Sequence, residues 1–286
     1  MADLPPALVE RVRAHAQGAV DVAVPRDAAT VVLLREAAAA HGLQVYLLRR
    51  VSSMAFAAGM HVFPGGSVDP RDAERAVAWS GPSPADWGGR LGCDERLARA
   101  LVCAAVRETF EESGVLLAGA SPDDVVADTT GDDWEADRLA LIDRSLSFAD
   151  LLARRALVLR SDLLNAWAHW ITPEFEPRRF DTRFFVAALP VGQRTRDVGG
   201  EADRVAWVPV ADAVAGYEAG HMPMLPPTAA TLRELTSYDG IAAVLAARPS
   251  IAPVTPRPVL DGDELRLVVD GPDGEQAADT VRRRPA

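Results

Sequence analysis

Apolar positions follow two periods along this chain, and their alternation sets out an α/β order of elements. Residues 29–34 and 43–50 are rich in β-branched and aliphatic side chains and predict two strands, joined across 36–42 by a hairpin or a short helical turn. Residues 60–63 predict a third, short strand leading into Gly65 and Gly66. A helical period then places Leu101, Val102, Ala105, Val106 and Phe110 on one stripe, ended by Gly114. Residues 115–117 are expected to re-enter the sheet. The stretch 132–150 reads as helical, with Leu139, Leu141, Ile142, Leu146 and Phe148 interleaved among charges. Residues 163–171 carry Trp167 and Trp170 as core anchors, and 180–189 alternate as a strong strand, with Arg183 on the opposite face from Phe184. The last clear core strand is 205–208, after which Pro209 opens a helix towards Tyr217. Residues 226–235 and 241–247 predict two terminal helices, the first capped by Thr228.

Three segments break this order. Pro5 and Pro6 open a short helix through Gln17 that packs outside the main core, and residues 1–27 form an amino-terminal extension. The segment 69–94 holds Pro70, Gly81, Pro82, Pro84, Gly88, Gly89 and Gly92, and reads as a mostly looped surface insertion onto which Trp79 and Trp87 pack. Residues 251–286 contribute an edge strand at 265–269 and then a frayed, charge-rich tail. The body, 28–250, is expected to be one domain.

Composition narrows the function classes. With 286 residues and 49% hydrophobic content, the chain is long enough for a sizeable core. A formal charge of -11 argues against nonspecific binding to nucleic acid or an anionic membrane surface, although local arginines can still hold a small anion. All 30 basic residues are arginine. Cys93 and Cys103 form no Cys-x-x-Cys pair, which argues against a zinc site or a disulfide framework, and Cys103 reads as a buried thiol. The start of the chain lacks the basic and apolar run of a signal peptide, and no stretch has the roughly 18 apolar residues of a membrane span. A cytoplasmic location is expected.

The chemistry lies in Arg107-Glu108-Thr-Phe-Glu111-Glu112-Ser-Gly114-Val115. On a helix, Glu108 stands three and four residues before Glu111 and Glu112, so the three carboxylates share a face, and Arg107 can pair with Glu111 one turn on. Carboxylates so close repel unless a counter-ion or protons intervene. All-oxygen ligands suit Mg²⁺ or Mn²⁺, which substrate phosphates usually complete. Most Glu runs are merely solvated helix faces. A match to Arg-Glu-x-x-Glu-Glu-x-Gly, however, arises by chance in on the order of one window in a million at residue frequencies of about 5–7%.

These residues resemble the signature of the Nudix hydrolases, Gly-x5-Glu-x7-Arg-Glu-U-x-Glu-Glu-x-Gly-U, where U is bulky and aliphatic. Thr109 departs from the aliphatic position, and 40 residues lie between Gly66 and Arg107 where the signature has 13, an insertion of 27. The insertion, Phe56-Ala-Ala-Gly-Met-His-Val-Phe-Pro-Gly-Gly66 and Arg179-Phe-Asp-Thr182 are similar to the branch containing the mammalian peroxisomal coenzyme A diphosphatase. The first Glu of the signature, which braces the Arg, is unplaced. Counting from Gly66 it falls on Asp72, and counting back from Arg107 it falls on Arg99; Asp72, Glu74 and Glu95 are the candidate substitutes, Asp72 ranked first.

The resemblance implies an α/β/α sandwich with a mixed sheet and an added helical layer from residues 130–170 and 226–248. It implies hydrolysis of a diphosphate in a nucleotide substrate, with Glu108, Glu111, Glu112 and Gly66 holding one to three Mg²⁺ or Mn²⁺ ions, Arg107 orienting the carboxylates, and Glu111 or Glu112 acting as base. Its branch implies coenzyme A or an acyl derivative, cut to 3′,5′-ADP and a phosphopantetheine. The coenzyme A signature of related enzymes is matched at Leu47-Leu48, Gly59 and Phe63–Gly66, while its Thr falls on Arg49 and its second Arg on Ala55. Arg49, Arg50, Arg179 and Arg183, with Arg178, are the substrate-phosphate candidates. NADH, ADP-ribose, dinucleoside polyphosphates, and a noncatalytic nucleotide sensor that binds without turnover are the alternatives. A homodimer is compatible with all of them, and His221 is a loop histidine of no assigned role.

Overall fold

A computed structural model describes residues 6–37, 42–51, 57–73, 77–196, 202–261, 264–271 and 274–282. In chain order its helices are α1 (Pro6–Ala16), α2 (Pro84–Leu91), α3 (Glu95–Ser113), α4 (Asp132–Ile142), α5 (Phe148–Arg154), α6 (Val210–Glu218), α7 (Pro226–Leu235) and α8 (Ile241–Ala246). The strands are β1 (Arg26–Glu36), β2 (Leu43–Arg50), β3 (His61–Val62), β4 (Gly65–Ser67), β5 (Trp79–Ser80), β6 (Ala118–Gly119), β7 (Val158–Arg160), β8 (Asn165–Ile171), β9 (Phe180–Ala188), β10 (Ala202–Pro209), β11 (Pro253–Val254), β12 (Arg257–Asp261), β13 (Glu264–Gly271) and β14 (Gly274–Arg282).

The central sheet runs β10-β2-β1-β9-β8-β11, with β3 added to β2 and β4 to β1. It is mixed: β1 is parallel to β9 and antiparallel to β2 and β4. Both faces are covered, which is why β1 reads as a continuous apolar run. Ala29, Val31 and Leu33 pack with the buried face of α3, whereas Val32 and Leu34 pack with Val210, Ala213, Leu232, Leu235 and Val244 from α6, α7 and α8. The α/β/α sandwich expected from the sequence is therefore present. Among the described residues no helix is long and apolar enough to cross a membrane.

The helix α3 has defined ends. The Asp94 side chain accepts the Leu97 N–H at its start, and Gly114 closes it in the left-handed region at φ 74°, donating to the Phe110 carbonyl. Residues 100–107 are all buried along its middle, so the helix is clamped between sheet and flanking helices rather than held by propensity.

Several expectations need correction. The segment 69–94 is not mostly loop: Pro84 opens α2, and the Ser83 and Asp86 side chains form a reciprocal capping box with each other's backbone. Helix α2 delivers Trp87, 1% exposed, into the main core edge-on to Phe185 at 5.7 Å, and Leu91 follows. Trp79 lies in β5, partly buried against the main core, its indole donating to the Pro82 carbonyl and its ring under Arg99. Residues 74–76, and Glu74 with them, lie outside the described residues. Residues 115–117 do not re-enter the central sheet; the chain instead pairs β6 with β7 in a small separate sheet that also holds β5. Of the helical layer expected over 130–170, α4 and α5 form, but β7 and β8 occupy the later part, where alternation of Asn165, Trp167 and His169 with Ala166 and Ala168 suits a strand. Helix α7 begins at Pro226 with no side-chain cap, and Thr228 lies inside it. Finally, 265–269 is the middle of the three-stranded sheet β12-β13-β14, not an edge strand before a frayed tail. There Leu265 packs with Phe175 and with Val12 of α1.

Because Trp87 is core, its truncation to Ala is expected to cost about 3–5 kcal/mol in urea or guanidinium unfolding. Its indole nitrogen is buried without a hydrogen-bond partner among the described residues. Trp87→Phe, which removes that donor and keeps the ring, is therefore expected to cost far less than the Ala variant. Equal losses would place the stabilisation elsewhere than in ring burial.

Candidate functional site

Gly65 and Gly66 enter the sheet as β4, paired with Thr30 and Ala29 of β1. The carboxylate face of α3 packs directly against them. A Cβ on Gly66 would stand 2.5–2.6 Å from the Glu108 carboxylate, so any larger residue there would displace that carboxylate from its place beside Arg107. The Gly65 N–H donates to Glu112 Oε2 at 2.8 Å.

Arg107 holds the rest of the cluster. Its Nε and Nη2 grip Asp72 at 3.1 and 2.9 Å, Nη2 also donates to the Ser67 carbonyl at 3.0 Å, and Nη1 reaches Glu108 at 2.7 Å and Glu111 at 3.1 Å. All five guanidinium N–H groups thus have acceptors, with the bidentate geometry that lysine cannot supply. Asp72 is the acid that braces the arginine, as counting from Gly66 implies. It is itself set by a tight turn in which the Asp69 N–H donates to Asp72 Oδ2 and the Asp72 N–H donates to the Asp69 carbonyl. Glu95, the remaining candidate, lies in the first turn of α3, three turns away from Arg107.

The electrostatics are those of a site with too much negative charge. Burial pushes the Glu108 carboxyl up to about 7; Arg107 opposes this and Glu111 adds to it. Glu111 and Asp72 are also raised, chiefly by burial and against the pull of Arg107. Burial works against the Arg107 charge too, but Glu108, Asp72 and Glu111 outweigh it and raise its pKa. One guanidinium pairs with three carboxylates, a fourth, Glu112, stands beside them on the Gly65 amide, and a divalent cation is a counter-charge of matching hardness. In the arrangement described, the carboxylates are turned to Arg107 and the Gly65 amide, and among the described residues no three His, Cys, Asp or Glu side chains converge as a ready ligand set. The donor chemistry still fits Mg²⁺ or Mn²⁺: oxygen ligands on one buried helix face, excess negative charge, and a glycine strand where side chains would intrude.

Around the cluster opens a cleft of about 700 Å³ lined by Arg50, Gly65–Ser67, Asp72, Arg107, Glu108, Glu111, Glu112 and the end of α4. Arg138, buried beside it, donates to the Glu111 carbonyl in the last turn of α3 and pairs with Glu135. Through Arg50 and Gly65–Ser67 the cleft borders a second chamber of about 280 Å³, lined by Trp170, Phe175, Phe180 and Phe184.

Of the five arginines singled out as substrate-phosphate candidates, the structure brings Arg50 to both cavities, and Arg178 lines neither. Arg49 is instead engaged in a two-point pair with Asp203 at 2.7 Å. Arg179 and Arg183 have partners elsewhere in the fold. Arg179 donates to the Thr172 and Ala23 carbonyls, and Arg183 is buried against Asp181, which also meets His169 at 2.6 Å. Neither lines the cleft or the chamber. Strand alternation places Arg183 opposite Phe184 but does not say which face carries the site. Arg138 and the apolar rim of α4 were not singled out as site residues, because nothing in 132–150 marks a helix that borders a cleft.

A family model described as the NUDT19 Nudix domain matches residues 94–235, beginning at the cap of α3 and so containing Arg107–Glu112. Putative nudix hydrolase 7 of Caenorhabditis elegans is 27% identical over 211 residues, covering 74% of this chain and 60% of that protein. Acyl-coenzyme A diphosphatase NUDT19 of Xenopus laevis is 24% identical over 237 residues, covering 69% of this chain and 61% of that protein. The chain thus spans about three-fifths of the length of these relatives. The crystal structure of a NUDIX hydrolase from Alicyclobacillus acidocaldarius superposes with a TM-score of 0.65 at 28% identity, covering 81% of this chain and all of that one. The signature residues, the family model and these matches agree, and the chain resembles the Nudix hydrolases in sequence and in fold.

Proposed function

We propose that this chain is a metal-dependent diphosphohydrolase, and that its substrate is coenzyme A or an acyl-coenzyme A, cut to 3′,5′-ADP and a phosphopantetheine. The observation that carries the reaction class is the Arg107-held set of Glu108, Glu111 and Glu112 against Gly65–Gly66, in a cleft large enough for a diphosphate. The substrate half draws on the name of the Xenopus relative and on the apolar chamber beside the polar cleft, which together suit a molecule with a charged and an apolar portion.

Glu108, Glu111 and Glu112, with Gly66, would hold Mg²⁺ or Mn²⁺. When bound, the ion neutralises charge on the diphosphate oxygens and acidifies water. The chain's own residues do the positioning. Arg107 fixes the Glu108 and Glu111 carboxylates, Gly65 fixes Glu112, and Glu111 or Glu112 takes the proton of the water that attacks phosphorus. Arg50, at the junction of cleft and chamber, is the cation placed to meet a substrate phosphate.

Hydrolysis is expected to require Mg²⁺ or Mn²⁺, and Glu111→Gln or Glu112→Gln is expected to slow turnover by about 10²- to 10⁴-fold. Full activity of both variants in a product-release assay would remove the site, and metal-dependent binding without turnover by the wild type would mark a nucleotide sensor. Substrate identity is read by mass spectrometry of products from coenzyme A, dephospho-coenzyme A, ADP-ribose, NADH and diadenosine polyphosphates. Arg50→Ala is expected to cost roughly ten- to a hundredfold in kcat/KM on coenzyme A. Preference for ADP-ribose or NADH would overturn the coenzyme A assignment and leave the diphosphate chemistry intact.

A stability measurement tests the electrostatics without turnover. The Glu108 carboxyl lies at 4.5 when unperturbed and is raised to about 7 in the metal-free fold, so folding takes up a proton between these values and stability falls as pH rises through that window. Glu108→Gln removes this loss. Its thermal midpoint relative to wild type is expected to climb from pH 4.5 to pH 7 and then level, and saturating Mg²⁺ or Mn²⁺ is expected to reverse the order by stabilising only the wild type. A pH-independent offset would show that buried charge is not the cause.

A further inference from the structure

One rim of the carboxylate cleft is made by the end of α4 and the turn after it. Leu139 and Ile142 are three residues apart on the helix and therefore neighbours. They are 50% and 48% exposed, and of the large exposed hydrophobics among the described residues they are the two that border the cleft. Apolar side chains facing water at the mouth of a charged site are a contact surface waiting for an apolar group.

Two residues further on, Arg144 also lines the cleft. Its φ is 65°, the left-handed region where glycine or asparagine ends a helix without strain. The turn is closed by groups other than its side chain. The Arg144 N–H donates to the Leu141 carbonyl, the Leu146 N–H to the Ala140 carbonyl and the Ser145 N–H to Asp143 Oδ1, while Arg71 Nη1 donates to the Arg144 carbonyl at 3.3 Å. The Arg144 guanidinium makes no hydrogen bond or ion pair among the described residues, yet its charge is felt by Glu111. A glycine would end the helix with less strain, so the fold carries here a cation that its own packing does not use.

We propose that Arg144, Leu139 and Ile142 form a substrate subsite in which the guanidinium holds a phosphate of the diphosphate and the two apolar side chains cover an aliphatic group esterified to that phosphate. The phosphopantetheine half of coenzyme A has this chemistry, with its branched aliphatic carbons beside the phosphate ester, whereas ADP-ribose presents a sugar there. The subsite rests on the diphosphohydrolase reading and assigns the non-nucleotide half of the substrate to the α4 rim.

The test is steady-state kinetics of the full chain with Mg²⁺ or Mn²⁺ on coenzyme A and on ADP-ribose, with thermal midpoints measured in parallel. Arg144→Gly is expected to raise KM about tenfold on any diphosphate the wild type cleaves, with a smaller change in kcat and a midpoint equal to or above wild type. Arg144→Lys is expected to fall between. Leu139→Ser with Ile142→Ser is expected to shift the coenzyme A to ADP-ribose selectivity about tenfold against coenzyme A. Unchanged KM in Arg144→Gly, or a lowered midpoint there, overturns the phosphate contact, and an unchanged selectivity ratio in the double variant overturns the apolar one. A wild type that cleaves ADP-ribose but not coenzyme A also overturns the apolar half, while a wild type that cleaves no diphosphate at all overturns the reaction class and the subsite with it.

Discussion

The guanidinium of Arg107 is the point on which the site depends. Its five donors meet Asp72, the Ser67 carbonyl, Glu108 and Glu111, which belong to three separate parts of the chain. Removing such a group would leave buried carboxylates without a partner, a far larger cost than the net worth of the pairs themselves. The arginine therefore ties the turn around Asp72, the end of β4 and the carboxylate face of α3 into one unit. Under the proposed reaction that arrangement matters, because carboxylates that hold a cation act by position and charge.

The same unit is electrostatically unsatisfied, and this is where structure passes into function. Burial and mutual repulsion raise Glu108 and Glu111 despite the adjacent Arg107. A fold seeking stability alone would replace one of these acids with an apolar or neutral residue. Keeping them charged and close makes sense if a divalent cation completes the set, and the glycines of β4 let the Glu108 carboxylate and β1 lie directly against that strand.

The 27 inserted residues interrupt the signature without separating its halves. The chain leaves after the short helical turn that holds Asp72 and returns at the Asp94 cap of α3, and both ends are packed on the same helix. Loop-closure entropy grows only slowly with length, so a long excursion between two anchored points is cheap. Helix α2 makes the excursion productive by adding Trp87 and Leu91 to the core. The side of the molecule bearing α4 then supplies Arg138 behind the site and the α4 rim beside it.

The sequence by itself determined the elements whose information is local. The spacing of Glu108, Glu111 and Glu112 on one helical face, the stop at Gly114, the glycines at 65 and 66, and the two-period pattern of the central sheet all depend on neighbours a few residues apart. Even Asp72 was reachable by counting, because the half-signature from Gly66 to Asp72 is uninterrupted. What only the tertiary structure decided depends on contacts between distant segments. Trp87 is core because α2 folds back against Phe185, nearly a hundred residues away in the chain. Residues 158–160 and 165–171 became strands because β5 and β6 offered partners to the first and β9 to the second. Arg179 and Arg183 looked like phosphate ligands by residue type, yet Thr172, Ala23 and Asp181 claim them once the chain is folded. A charged side chain announces its chemistry in the sequence, but whether it meets a substrate or a neighbour is set by which face of the sheet it occupies and what packs there.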